Sequence, residues 1–376
     1  MRIAHLLAGA QEGGAELFFE RLVAELSAAG DAVLPVVRSR ARAARLRQAG
    51  LAPSVYTFGG TADFLTRPMV ARRLRRFAPR VAVAWMGRAA QHAPTGPWVL
   101  IGRLGGRYNL ARFAACDHLV ANTPALAGWI VSRGWPEPRV HYLPNFVPDL
   151  AAAPPAILPV PQGAPAVLAM GRLHRDKGFD VLLAAIARLP GVHAVIAGDG
   201  PERADLQALA RRAGILPRVH FLGWRADTAS LLAAADLLVC PSRREPLGNQ
   251  ILEAFSAGKP VVAAMAEGPS WLLDHGRRGI LVPVDSGVAL AAGIEGMLQN
   301  RPMAAAMAAA GRDFFVTGFA PAPVVARWRD FCANVCKMPG PAALRPWPAE
   351  PAEHTWPAEP AEHTRPAEPA NPLCAP

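Results

Sequence analysis

The feature that most constrains this chain is an alternation of short apolar runs with amphipathic stretches that runs once, stops, and begins again. The first series opens on "RIAHLL", passes through the small-residue loop "AGAQEGGAE", and enters "LFFERLVAELSAAG", where apolar residues recur at helical spacing up to Gly30. "AVLPVV", "VAVAW", "WVLIGRL", "HLVA" and "RVHYL" read as further strands, with "ARAARLRQAG", "RPMVARRLRRF" and "PALAGWIVSRG" as helices between them. Apolar strands alternating with helices need cover on both faces, which predicts a mostly parallel, doubly wound sheet.

The series halts at "PDLAAAPPAILPVPQGAP", residues 148–165, where proline is dense and charge scarce, as in an interdomain linker. It restarts with "AVLAMG", "FDVLLAAIARL", "VHAVIAGDG", "PERADLQALARRAG", "VHFLG", "TASLLAAA", "DLLVCPS" and "PVVAAM". The reading is α/β, with two Rossmann-like domains facing across a cleft. They cover residues 1–148 and 166–319, with a linker over 149–165 and a last helix, 320–337, packing back on the first domain. A chain of 376 residues is long enough for two such cores and a remainder. That remainder, 338–376, contains "WPAEPAEHT" starting at Trp347 and again at Trp356, with a degenerate third copy from Arg365. Few apolar residues and dense proline predict a disordered or polyproline-like tail.

Composition excludes several classes. No run of about 18 uninterrupted apolar residues exists, and "MRIAHLLAGA" is too short and glycine-interrupted for a signal peptide, so a cytoplasmic protein is expected. The five cysteines are odd in number and scattered, which fits a reducing compartment. Cys332 and Cys336 stand one helical turn apart without a second Cys/His pair nearby, so packing is the simpler role than metal binding. The net charge of +11 is carried by arginine, lysine standing only at Lys177, Lys259 and Lys337. Part of that arginine accompanies the abundant Ala, Pro and Gly of a GC-rich genome; the rest suggests anionic company.

The stretch "REPLGNQILEAFSAGKPVVA" places Glu245 and Glu253 on either side of a Pro-Leu-Gly turn entering an apolar helix. Two carboxylates could make a glycosidase pair, but the local pattern speaks against it. Pro246 and Gly248 suit a turn, Gly258 and Pro260 a helix stop, and Glu245 then lies at the carboxyl end of the strand "LLVCPS", where open α/β sheets hold ligands. The backbone amides of Leu247, Gly248 and Asn249 would form an anion or hydroxyl site between the acids. In "GRLHRDKGFDVLL", Arg172 and Lys177 follow the first strand of the second domain, two cations suited to a diphosphate. No Asp-x-Asp clamp for a nucleotide-bound divalent ion occurs, so no metal is expected. Gly198, in "AGDGPE", marks a tight turn, and Gly13 and Gly14 would let backbone close on a phosphate.

Taken in order, GGAE, LPN, GRL-x3-KG, GDGPE and EPLG-x4-EA resemble the retaining glycosyltransferases of GT-B fold in glycosyltransferase family 4, over Met1 to about Lys337. Glu245 and Glu253 match that family's E-x7-E. The resemblance implies a nucleoside diphosphate sugar as donor and a glycan or lipid-linked acceptor, in cell-surface polysaccharide or lipopolysaccharide synthesis, with neither metal nor cofactor. It implies that Arg172 and Lys177 hold the diphosphate and that Glu253 bonds the ribose hydroxyls. Glu245 and the amides of Leu247 to Asn249 would hold the sugar and its nearest phosphate, approached by Gly13 and Gly14 from the first domain.

One departure stands out: where many relatives carry a first-domain histidine, "WVLIGRLGGRYNL" offers Arg103, Gly105, Gly106 and Tyr108, with His92 the nearest alternative. The segment 67–77, "RPMVARRLRRF", is a basic helix with Met69, Val70, Leu74 and Phe77 available for burial. Relatives that elongate surface glycans work at the cytoplasmic membrane face, and such a helix could touch anionic lipid there; a solvated arginine face is the plainer alternative. Two rival functions share parts of the pattern. A nucleotide-sugar 2-epimerase has the same architecture, but the E-x7-E and R-x4-K pairing favours the transferase. A nucleic-acid binder would need aromatics interleaved with clustered basic residues, absent outside this one helix.

Overall fold

The computed structural model describes residues 1–9, 13–59 and 63–338. The repeat tail, read as disordered, lies outside them apart from Met338, as do residues 10–12 of the glycine loop.

The N-terminal lobe is built on β1 (Arg2–Leu7), β2 (Ala32–Val37), β3 (Ser54–Val55), β4 (Val81–Trp85), β5 (Val99–Leu104), β6 (His118–Ala121) and β7 (Val140–Tyr142). They form a parallel sheet in the order β3-β2-β1-β4-β5-β6-β7. The C-terminal lobe uses β8 (Ala166–Met170), β9 (His193–Ala197), β10 (Val219–Gly223), β11 (Leu237–Cys240), β12 (Val261–Ala264) and β13 (Ile280–Val282). Their order is β10-β9-β8-β11-β12-β13, again parallel. In each sheet the first strand lies between its second and fourth, so the chain winds outward both ways from there. The crevice left at that reversal lies at β1/β4 in one lobe and β8/β11 in the other, and that is where such sheets take ligands.

Both faces of both sheets are covered, as the unbroken apolar strands require: β4, β8, β9, β11 and β12 are buried at every position. The helix Pro321–Val335 leaves the C-terminal lobe and returns to the first, where Val324, Trp328 and Phe331 join a core with Ile3, Phe19 and Trp85. Trp328 stacks on Trp85 with ring centroids 6.5 Å apart. Cys332 is buried in that core, and burial pushes its thiol up to about 12.

The arginine-rich helix is Thr66–Phe77. Val70 and Leu74 are buried and Phe77 half-buried, but Met69, read as available for burial, is 43% exposed. The helix phase explains this: Val70 and Leu74 stand four apart and set the inward stripe, and Met69 falls one position off it. Among the described residues no helix is long and apolar enough to cross a membrane.

Candidate active site

The C-terminal lobe brings two strand ends together. Beyond β8, residues 171–178 carry Arg172 and Lys177; beyond β11, residues 241–248 carry Glu245 and lead into the helix Asn249–Ser256. Gly248 enters that helix at φ +94°, a left-handed conformation that a side chain would strain. The turn is pinned from behind by the Gly268 amide, which donates to the Glu245 carbonyl at 2.8 Å.

Lys177 Nζ reaches Glu245 Oε2 at 2.5 Å, joining the two strand-end loops. Burial opposes the charge on Lys177, but the neighbouring Glu245 carboxylate outweighs it and the ammonium is held above its ordinary pKa. Glu253, one turn into the helix, faces the other lobe, where the Arg21 guanidinium of the helix Gly14–Ala28 lies 3.7 Å away. Burial raises the Glu253 pKa, against the attraction of Arg21.

Between the lobes lies a cavity of about 150 Å³, lined by Gly14, Arg103 and Asn145 on one side and by Glu245, Leu247, Gly248 and Asn249 on the other. The lobes touch across it: Asn145 Nδ2 donates to Asn249 Oδ1 at 3.0 Å. Gly14 lies close against that bond: a Cβ on it would come within 2.9 Å of Asn249 Nδ2, so the Asn249 amide would have to shift. A larger cavity of about 500 Å³ lies under the linker, by Pro155, Pro161 and Arg301, away from both strand-end crevices. Its carboxylate, Asp236, is occupied in accepting from the Ala166 amide.

The residues singled out in the sequence are thus only partly assembled. Gly14, Glu245, Leu247, Gly248 and Asn249 share one cavity, and Lys177 joins it through Glu245. Gly13 caps the helix just behind, and the Glu16 carboxylate fills the space its side chain would take. Arg172 is exposed and forms no ion pair among the described residues. Gly198 stays outside the cavity: at φ +156° a Cβ would come 1.8 Å from the Gly171 carbonyl, so its glycine serves the crossing of two backbone loops. His92 is buried against Phe58 with Nε2 3.2 Å from the Gly59 carbonyl, away from the cavity, and is a packing residue. Among the described residues no cluster of three or more potential metal ligands occurs.

Sequence reasoning missed Arg21 and Asn145 and noted Arg103 only as a non-histidine. Asn145 was visible in "LPN" without a role; for Arg21, one arginine on a helix among many, no signal was available.

Comparison with known proteins adds to this geometry. Residues 164–300 match the family model described as Glycosyl transferases group 1. The chain is 34% identical over 325 residues to the lipopolysaccharide core biosynthesis glycosyltransferase LpsE of Rhizobium meliloti, covering 85% of this chain and 95% of that one. It is 33% identical to LpsD of the same organism, covering 85% and 94%. Among solved structures it is similar to Anabaena HepE in complex with UDP and glucose, with TM-score 0.75 and 23% identity, covering 89% and 100% of the two chains.

Proposed function

Since this chain belongs to the group 1 glycosyltransferases, enzymes of GT-B fold, we propose that it moves a sugar from a nucleoside diphosphate sugar to a glycan or lipid-linked acceptor, retaining the anomeric configuration. The observation that carries this reading is the meeting of the Lys177–Glu245 pair and the start of the Asn249–Ser256 helix with Gly14 of the opposite lobe. A diphosphate entering that cleft meets an ammonium, helix-start amides and a glycine turn. As the sugar–phosphate bond stretches, negative charge grows on the departing diphosphate, and these fixed groups stabilise it without reorganising. Arg172, exposed and unpaired, is available to the same phosphates. Glu245 takes the sugar hydroxyls and Glu253 those of the ribose. Contact between the lobes keeps water from the reacting bond.

The acceptor we propose belongs to lipopolysaccharide core synthesis, the role named for the two Rhizobium relatives that match nearly end to end. A cytoplasmic protein working on a lipid-linked acceptor needs to reach the membrane face. The helix Thr66–Phe77 supports such contact: Arg67, Arg72, Arg75 and Arg76 are exposed, beside Phe64 at 79% and Leu65 at 57% exposure. Flotation with anionic but not neutral vesicles is expected; equal recovery with both removes the membrane contact.

The deciding experiment is scanning fluorimetry with UDP-, GDP- and ADP-sugars on the wild type and on Glu253→Ala. One nucleotide should raise the wild-type melting temperature and raise that of the variant much less; no response to any of them counts against the donor site. Transfer should also survive a chelator, since the phosphate charge is met by side chains and amides.

A further inference from the structure

Arg103 sits at the end of β5, fully buried, with its guanidinium 4.7 Å from the Trp85 ring centroid and 5.2 Å from that of Phe18. It makes no ion pair among the described residues, and its Nε has no hydrogen-bond partner there. Burial lowers its pKa only to about 10, opposed by Tyr108 and Glu16, so at neutral pH it is a cation. Its NH2 group donates to Asn145 Oδ1, and Asn145 Nδ2 in turn donates to Asn249 Oδ1 across the cleft.

The direction of this chain follows from elementary chemistry. A guanidinium donates and never accepts. Asn145 must therefore turn its oxygen to Arg103 and its NH2 group outward. That NH2 can only donate, so Asn249 must offer its oxygen and turn its own NH2 into the cavity, beside Gly14. Amide orientation is ordinarily inferred from neighbours; here the first neighbour permits a single answer.

We propose that Arg103 is a positioning residue that, through Asn145 and Asn249, aims a hydrogen-bond donor into the interlobe cavity at an anionic phosphate oxygen of the nucleoside diphosphate. The inference rests on the donor reading above. It gives the inward-facing arginine a purpose distinct from the histidine of other relatives: it fixes the polarity of two amides. Because the second bond crosses between lobes, the donor is set only when they are closed. Glu245, the one carboxylate lining the cavity among the described residues, is already paired with Lys177.

The test reverses the relay while keeping the shape. In Asn145→Asp the carboxylate still accepts from Arg103, as a buried ion pair, but has nothing to donate; Asn249 then rotates to donate to it and turns its oxygen toward the phosphate. In Asn249→Asp the second carboxylate oxygen faces the cavity directly, while a negative charge at a helix start favours the fold. Titration calorimetry of the wild type with UDP, GDP and ADP identifies the diphosphate. Both folded variants should bind it at least fivefold more weakly, with the apo melting temperature of Asn145→Asp unchanged or raised and affinity for the matching nucleoside unaltered. A smaller loss in a folded variant overturns the relay and leaves the donor reading standing. Failure of both variants to fold marks the network as structural and overturns it too. A wild type that binds none of the three overturns the donor reading, and the relay with it.

Discussion

The two lobes share a topology and differ in where they keep charge. In the C-terminal lobe the polar side chains that reach full burial are few and neutral or weakly basic: His193, Ser242 and Ser256. The N-terminal lobe buries His5, Glu16, Asp31, Arg42 and Arg103 among its apolar residues. Arg42 pairs with Glu20, Nε to Oε1 at 2.8 Å, and Arg103 lies against aromatic faces and donates to the Asn145 amide. One lobe therefore carries its reactive charge at the rim, where a ligand meets it. The other uses charge inside the fold, where it orients neighbours and is costly to leave unpaired.

The contrast is tested most strongly at Lys177. If rim charge serves chemistry, Lys177→Ala should lower kcat/KM by about 10²–10³, roughly 3–4 kcal/mol, the usual loss when one preorganised group facing developing charge is removed. Its melting temperature should move far less than the activity, because the ammonium is a quarter exposed. Steady-state rates beside a melting curve separate the two; a fall in stability that accounts for the lost activity would make this pair structural and erase the difference between lobes.

Next in size is an acid effect that falls most heavily on the N-terminal lobe, although burial also lowers the pKa of His193 and His220 in the C-terminal sheet. His5, on β1, accepts at Nδ1 from Trp85 Nε1 at 3.1 Å, and burial lowers its pKa from 6.5 to about 3. A histidine depressed in the native state binds its proton only in the unfolded chain below pH 6.5. Its stabilising contribution is thus complete above pH 6.5 and is lost as pH falls toward 3. Between pH 6.5 and 4.5 the loss approaches about 3 kcal/mol, from about 1.4 kcal/mol per unit. His118 on β6, lowered to about 4 by burial, then by His141 and Arg139, acts in the same direction. Hydrogen exchange at the two pH values should show β1 amides losing protection while β8 amides change little. Equal loss in both sheets would show that the lobes unfold as one unit.

The same division explains what was legible in the chain. Both sheets could be read because apolar runs and helix periods are local, and the placement of Glu245, Gly248 and Glu253 because it follows from a strand end, a turn and a helix within ten residues. Arg103, Asn145 and Asn249 could not be connected. The Asn145–Asn249 bond spans 104 positions, and the rule that charge stays outside is the one Arg103 breaks. Arg172 could be placed beyond β8, but a sequence position does not say which way a long side chain turns. The short helix Met86–His92 was missed because it leaves β4 directly through Met86 at φ +63°, with no capping residue to announce it.

The smallest effect concerns two of the ties between the lobes. Arg107 and Glu267 meet across the cleft at 3.1 Å, but their side chains are 45% and 39% exposed. An ion pair so open to water and salt contributes between nothing and about 1 kcal/mol. The Asn145–Asn249 bond is enclosed, and its Asn145 partner is 3% exposed. If enclosed polarity governs closure, Arg107→Ala should leave diphosphate affinity within about twofold, at low salt and at 0.5 M alike, and small-angle scattering should show no change in dimensions. Should Arg107→Ala weaken binding as much as Asn145→Asp does, the rim pair would be holding the lobes together. The buried arginine would then owe its place to the packing of β5 against Trp85 alone.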